Sequence, residues 1–185
     1  MKIGIIIGSI RTDRAGKAVG HWVHEQASER DDAQFELIDI TEHDLELLDE
    51  ATVPGAANRK YDKESTRRWG AKIDEFDAFI FVTPEYNHGV PGAMKNAFDL
   101  IYPEWGNKAV AFVGYGADGG VRAVEQWRGI ALNAYLYPAR AQVALSLFTD
   151  WGKDGFAPAD RRTKELTALF DELVPLAGAI KTLRD

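Results

Sequence analysis

Short apolar runs and helical stripes alternate along this chain. Lys2 to Gly8 is β-branched and almost wholly apolar, which predicts a strand covered on both faces. A loop from Ser9 to Arg14 follows. Ala15, Ala18, Val19, Trp22, Val23 and Ala27 then recur at helical spacing, with Lys17, His21 and Glu25 between them. Phe35 to Ile40 alternates as a second strand, so the first forty residues read as strand, helix, strand. Thr41 to Lys63 has little periodicity and contains Pro54-Gly55. That is long for a connection in a compact domain and predicts a functional or interface loop. A helix resumes from Ser65, the expected N-cap, to Glu75.

Ala78 to Thr83 is another buried-strand run, ended by Pro84. Pro91 opens a helix to Ile101. Lys108 to Gly114 and Ala141 to Phe148 are the fourth and fifth strands, with a helix from Val121 to Ala134 between them. A last helix begins near Ala159, and Pro175, which has no N–H, is expected to kink or split it. Five strands alternating with helices predict a single α/β domain over residues 1–185. The expected form is a three-layer sandwich around a parallel sheet in the order 2-1-3-4-5.

Composition narrows the chemistry. The 185 residues carry 22 basic and 29 acidic side chains, a formal charge of −7, which disfavours a nonspecific nucleic-acid binder. Zero cysteines exclude thiol catalysis, disulfides and Cys-ligated metals. The opening apolar run is too short for a signal peptide. No stretch approaches the roughly 20 apolar residues of a membrane helix, so a cytoplasmic protein is expected.

In such a sheet, ligands bind beyond the carboxyl ends of the strands. Three loops lie there. The first holds Ser9, Arg11, Arg14 and Gly16 directly before a helix whose free N–H groups suit a phosphate. It matches neither GxxxxGK[ST] nor GxGxxG. The second runs Thr83-Pro84-Glu85-Tyr86-Asn87-His88-Gly89-Val90-Pro91-Gly92. Its prolines and Gly89 predict a rigid stretch suited to a flat heterocycle. The third, Gly114 to Gly120, is glycine-rich and admits close backbone approach.

Three segments, GSIRTDRAGKAV, TPEYNHGVPGAMKNAFDLI and VGYGADGGVRAVEQWR, resemble the NADPH-dependent FMN reductases of the flavodoxin-like proteins. Quinone, azo and chromate reductases belong to the same group. The likeness spans about Met1 to Phe148, and its most specific part is PEYN with the following PGxxKNAxD pattern. It implies bound FMN and electrons from NADPH or NADH, passed by ping-pong hydride transfer to a flavin, quinone, azo or similar acceptor. Ser9, Arg11, Arg14 and Gly16 would hold the phosphate. Pro84, Glu85, Tyr86 and Asn87 would line the isoalloxazine, and Gly114, Tyr115 and Gly116 would close its other side. The flavin carries the redox chemistry, so no catalytic side chain is assigned.

This chain has Arg14, Gly16 and Gly114 where many members have Ser, Asn and Ser, which puts the role of Gly114 in question. The resemblance also implies a homodimer or homotetramer, with Thr41 to Lys63 and the helix from Pro91 as candidate interface. A flavodoxin-type electron carrier and a non-catalytic flavin-binding module are the alternative readings. His21, His24 and Glu25 do not make a metal set. His88 either borders the acceptor or is a solvated turn residue. Arg67-Arg68 and Arg161-Arg162 are expected on solvated helix faces, with attraction of the NADPH 2′-phosphate as the alternative.

Overall fold

A computed structural model describes residues 1–184. Five parallel strands, β1 (Lys2–Ile7), β2 (Gln34–Asp39), β3 (Ala78–Pro84), β4 (Lys108–Gly116) and β5 (Leu136–Ser146), form one sheet in the order β2-β1-β3-β4-β5. Helices α1 (Ala15–Ser28), α2 (Glu64–Asp74), α3 (Gly92–Asp99), α4 (Val121–Asn133) and α5 (Asp160–Lys181) cover it. The expected α/β sandwich and strand order are therefore present.

The pleat sorts the core into two layers. Phe79 and Phe81 of β3 and Phe112 of β4 meet Trp69, Phe98, Trp105 and Trp127 on the face under α2, α3 and α4. Ile3, Ile5, Ile80, Val82, Ala111 and Val113 point the other way, onto α1 and α5. Gly4 is required by this packing, since a Cβ there would stand 2.9 Å from Ile38 Cδ1 and 3.1 Å from Phe79. Trp69, Trp105 and Trp127 are fully buried, and Trp151 is half-buried.

Several boundaries differ from the expected ones. β4 continues two residues further, through Tyr115 and Gly116, so these lie in a strand with directed side chains. β5 begins at Leu136. Its Pro138 is tolerated because β5 is an edge strand paired only with β4. Helix α2 has Lys63 as N-cap, and Ser65 is buried in its first turn. Helix α5 runs unbroken through Pro175. Pro175 and Asp171, the residue whose carbonyl it deprives of a partner, both face solvent, where water replaces the lost bond. A small hairpin, β6 (Trp151–Gly152) with β7 (Gly155–Phe156), was not anticipated.

The 41–63 connection is pinned to the fold. Tyr61 donates to the buried Glu104 carboxylate at 2.7 Å, and the Glu50 carboxylate accepts from the amides of Asp62 (2.8 Å) and Lys63 (3.1 Å). The Asn96 side chain binds Leu48 N and Glu46 O.

Candidate functional site

The three loops leave adjacent strands β1, β3 and β4 at their carboxyl ends, so the fold brings them together. The first begins at Gly8, where a Cβ would collide with Met94 Sδ at 2.1 Å. Ser9 is buried, and its hydroxyl shares a 2.8 Å hydrogen bond with the Tyr86 hydroxyl, tying the first loop to the second. Arg11 is exposed, its guanidinium 6.0 Å from the Tyr86 ring centroid. Asp13 turns the chain with φ of 51°.

Helix α1 then starts with no side-chain cap and no acid in its first turn. Its free N–H groups and positive dipole end are left for an anion. Arg14, its N-cap, has a buried Nε with no partner among the described residues. Its guanidinium is engaged by Asp39 and by Thr41 Oγ1 at the end of β2.

The second loop is rigid, although not for the reason expected. Tyr86 and Gly89 exchange backbone hydrogen bonds of 3.1 and 3.0 Å around Asn87 and His88. Both central residues have positive φ, 50° and 65°, the signature of a two-residue type I′ hairpin turn. Gly89 is not in the left-handed region; Asn87 and His88 are. The Gln126 side chain of α4 donates to His88 O at 2.8 Å and accepts from Val90 N at 3.3 Å. Pro84 is the buried end of β3, while Asn87 and His88 form the exposed tip.

Glu85 points away from the hairpin tip, onto the start of α4. Its carboxylate accepts from Arg122 N at 2.9 Å, Arg122 Nη1 at 2.8 Å and Ala123 N at 3.4 Å. Helix α4 has Gly120 as N-cap with no cap of its own, so Glu85 supplies the missing acceptor from another loop. Burial opposes its charge, but the Arg122 side chain and the two amides outweigh this and hold its pKa below the usual carboxylate range. The side chain is thus a clamp between the second and third loops. The sequence clue was the uncapped Gly-Gly start of α4, which required an acid from elsewhere.

In the third loop, Gly119 and Gly120 have φ of 72° and 71°, which only glycine adopts readily. Gly114 faces α4. A Cβ there would lie 2.8 Å from Gly119 O and 3.0 Å from Val124 Cγ2, so serine does not fit. Gly114 serves loop packing. Gly116 lies against Glu85 Cβ. Tyr115, on the opposite pleat, is 5% exposed and packs toward α1, with Trp151 6.3 Å away between ring centroids. Its hydroxyl is buried and has no hydrogen-bond partner among the described residues. It stands 2.4 Å from where a Gly16 Cβ would be.

The remaining candidates separate clearly. His21 is exposed and His24 half-buried, and no metal-binding group of His, Asp and Glu occurs among the described residues. Arg67 binds the carbonyls of Tyr61 and Asp62, and Arg68 pairs with Glu64. Arg161 is exposed as expected. Arg162 is not a solvated residue: it is 6% exposed and makes two 3.0 Å bonds to the buried Asp150 carboxylate. Asp150 in turn accepts from Ser146 N at 2.9 Å, which shapes the turn after β5.

An uncapped helix start and an orphaned buried hydroxyl against a glycine fit the anionic end of a ligand. The clamped hairpin beside them offers a fixed wall. Residues 1–150 match the family model for NADPH-dependent FMN reductase. An NAD(P)H-dependent FMN reductase from a Nectria species is 43% identical over 129 residues, covering 68% of this chain and 64% of that protein. A Schizosaccharomyces pombe protein of the same description is 36% identical over 169 residues, 91% of this chain and 84% of the relative. A solved flavoenzyme NAD(P)H:(acceptor) oxidoreductase from Paracoccus denitrificans superposes with a TM-score of 0.76. It is 22% identical and covers 96% of this chain and 97% of its own, so it supports the fold. On the family match over residues 1–150 and these relatives, the chain belongs to the NADPH-dependent FMN reductase family.

Proposed function

We propose that this chain oxidises NADPH or NADH and reduces a small acceptor, such as a flavin, quinone or azo compound, by way of FMN held across the carboxyl ends of β1, β3 and β4. The observation that carries this reading is the pairing of an anion-ready end with a rigid wall. The uncapped first turn of α1, Ser9 and the buried Tyr115 hydroxyl make the one, and the Tyr86–Gly89 hairpin makes the other. Bound there, FMN would supply the hydride-accepting and electron-donating chemistry, and separate half-reactions with NAD(P)H and acceptor would give a ping-pong order.

The protein's part is positioning. The Ser9–Tyr86 bond fixes the spacing between the phosphate loop and the hairpin. Glu85 and Gln126 hold that hairpin to α4, so its backbone donors stay in place without reorganisation. Arg11, exposed and without an ion-pair partner among the described residues, supplies positive charge at the mouth. The Glu85 carboxylate is engaged by α4 and takes no part in proton transfer.

We also place the chain in the cytoplasm as a homodimer or homotetramer. The support for assembly is an open, partly apolar groove of about 580 Å³ between Val53–Gly55, α3 and α4, with Lys95 and Asp99 in its wall and the exposed Leu47 nearby in the chain. No described helix is long and apolar enough to cross a membrane. Anaerobic titration of the FMN-loaded protein with NADPH, followed by a quinone, tests the activity. Bleaching by the first and recovery with the second are expected. A flavin that stays oxidised under excess NADPH and NADH would overturn the reading. Light scattering at micromolar concentration tests the assembly, and a monomer would contradict it.

A further inference from the structure

The Tyr115 hydroxyl is one of four buried side-chain polar atoms without a hydrogen-bond partner among the described residues, with Arg14 Nε, Thr66 Oγ1 and Arg184 Nε, and it lies beside the start of α1. Its ring is fixed in β4, covered by Trp151 on one side and facing α1 and α5 on the other. The residue is 5% exposed, and with the Ser9 side chain close by its hydroxyl has no partner in hydrogen-bonding geometry among the described residues. Buried hydroxyls are normally paired, and one left without a partner destabilises the fold.

The hydroxyl does not point into an arbitrary void. It lies at the second residue of α1, where a Gly16 Cβ would be 2.4 Å from it and Ser9 Cβ is 3.5 Å from the same point. Ser9 Oγ is already bonded to Tyr86. The helix start beside it has neither a side-chain cap nor an acid. Groups able to donate therefore converge from three elements, with no carboxylate among them: the first turn of α1, the Ser9 hydroxyl and the Tyr115 hydroxyl. Burial raises the Tyr115 pKa, so the phenol remains a proton donor throughout the physiological range. Arg14, the other expected donor, is held through Nη2 by Asp39, while its buried Nε is without a partner among the described residues.

We infer that Tyr115 is a buried ligand of the FMN phosphate, donating to it from beneath the first turn of α1, rather than a wall of the isoalloxazine site. Gly16 is the residue that admits this hydroxyl. The inference rests on the proposed FMN site and deepens it.

The test uses flavin-free full-length protein and the Tyr115→Phe variant, with binding of FMN and of riboflavin measured for each. Riboflavin has the ring and lacks the phosphate. For the variant, FMN affinity is expected to fall roughly 10- to 100-fold, the range of a hydrogen bond to a charged group. Riboflavin affinity is expected to stay within about twofold, since the ring contacts are untouched. The flavin-free variant should melt no lower than the parent, because the lost hydroxyl had no partner. Equal weakening of both ligands would overturn the inference in favour of ring packing, and so would no change in either. A parent protein that binds neither flavin would instead overturn the FMN reading itself. If the variant does not fold, the Tyr115 13Cζ resonance of the parent decides: it should shift with FMN and not with riboflavin, and identical shifts would refute the assignment.

Discussion

Replacing Glu85 with glutamine removes one charge and almost no volume, and the structure says where the loss falls. The carboxylate accepts two amide bonds at the start of α4, at 2.9 and 3.4 Å, and one from Arg122 Nη1 at 2.8 Å. Glutamine keeps an oxygen that can accept the Arg122 and Ala123 amides, so the cap of about 1 kcal/mol is largely retained. The negative charge at the positive end of the helix adds about 0.3–1 kcal/mol. The Arg122 side chain is 41% exposed, so its ion pair is screened and adds about 0.5 kcal/mol. The expected loss is about 1 kcal/mol near pH 7, read by urea denaturation of flavin-free protein.

The pH dependence follows from the depressed pKa of Glu85. Its stabilisation is fully present above the unfolded value of about 4.3 and is lost as pH falls through the lower folded value. The gap between parent and Glu85→Gln should therefore close in acid. FMN binding should weaken as well, because the clamp between the second and third loops is cut, although Glu85 itself faces α4. A loss below about 0.5 kcal/mol at neutral pH, or a gap that does not change in acid, would refute the role given to the Glu85 charge.

Three further outcomes check other parts of the account. Gly114→Ser should destabilise the protein by about 1–3 kcal/mol in thermal or urea unfolding, because its Cβ meets the Gly119 carbonyl, which is backbone and yields little. Arg162→Met leaves the Asp150 carboxylate buried without its cation and should cost about 3 kcal/mol or more in urea unfolding. Lys108 is buried at the start of β4, with its ammonium on Ile73 O at 2.8 Å, and burial lowers its pKa to about 7. The unfolded chain therefore binds more protons between the folded pKa and the ordinary lysine value. Stability should rise with pH across that window by up to about 1.4 kcal/mol per unit, and Lys108→Met should flatten the rise.

What could be read from the sequence follows physical lines. The runs at Ile3–Ile7, Ala78–Val82 and Ala109–Val113 are apolar because both sheet faces are covered, so the central strands and their order were legible. The start of β5 was hidden because an edge strand tolerates Pro138 and Arg140, which break the apolar pattern. The β6–β7 hairpin has two residues per strand, too few for any period to show. The three loops were found because strand ends locate them. The direction of each side chain was not legible, since it depends on contacts distant in sequence. Glu85 turns to α4, Arg14 to β2 and Tyr115 to α1. The positive φ of Asn87 and His88 is likewise a hairpin property that Gly89 obscured.

The central claim is that these loops hold FMN for exchange of electrons with NAD(P)H. The most direct test is the visible spectrum of the protein reconstituted with FMN and freed of excess ligand, recorded anaerobically before and after NADPH or NADH. The account expects a retained flavin band near ~450 nm that bleaches on addition of the nucleotide. A protein that emerges colourless, or one whose band survives excess NADPH and NADH, would contradict it.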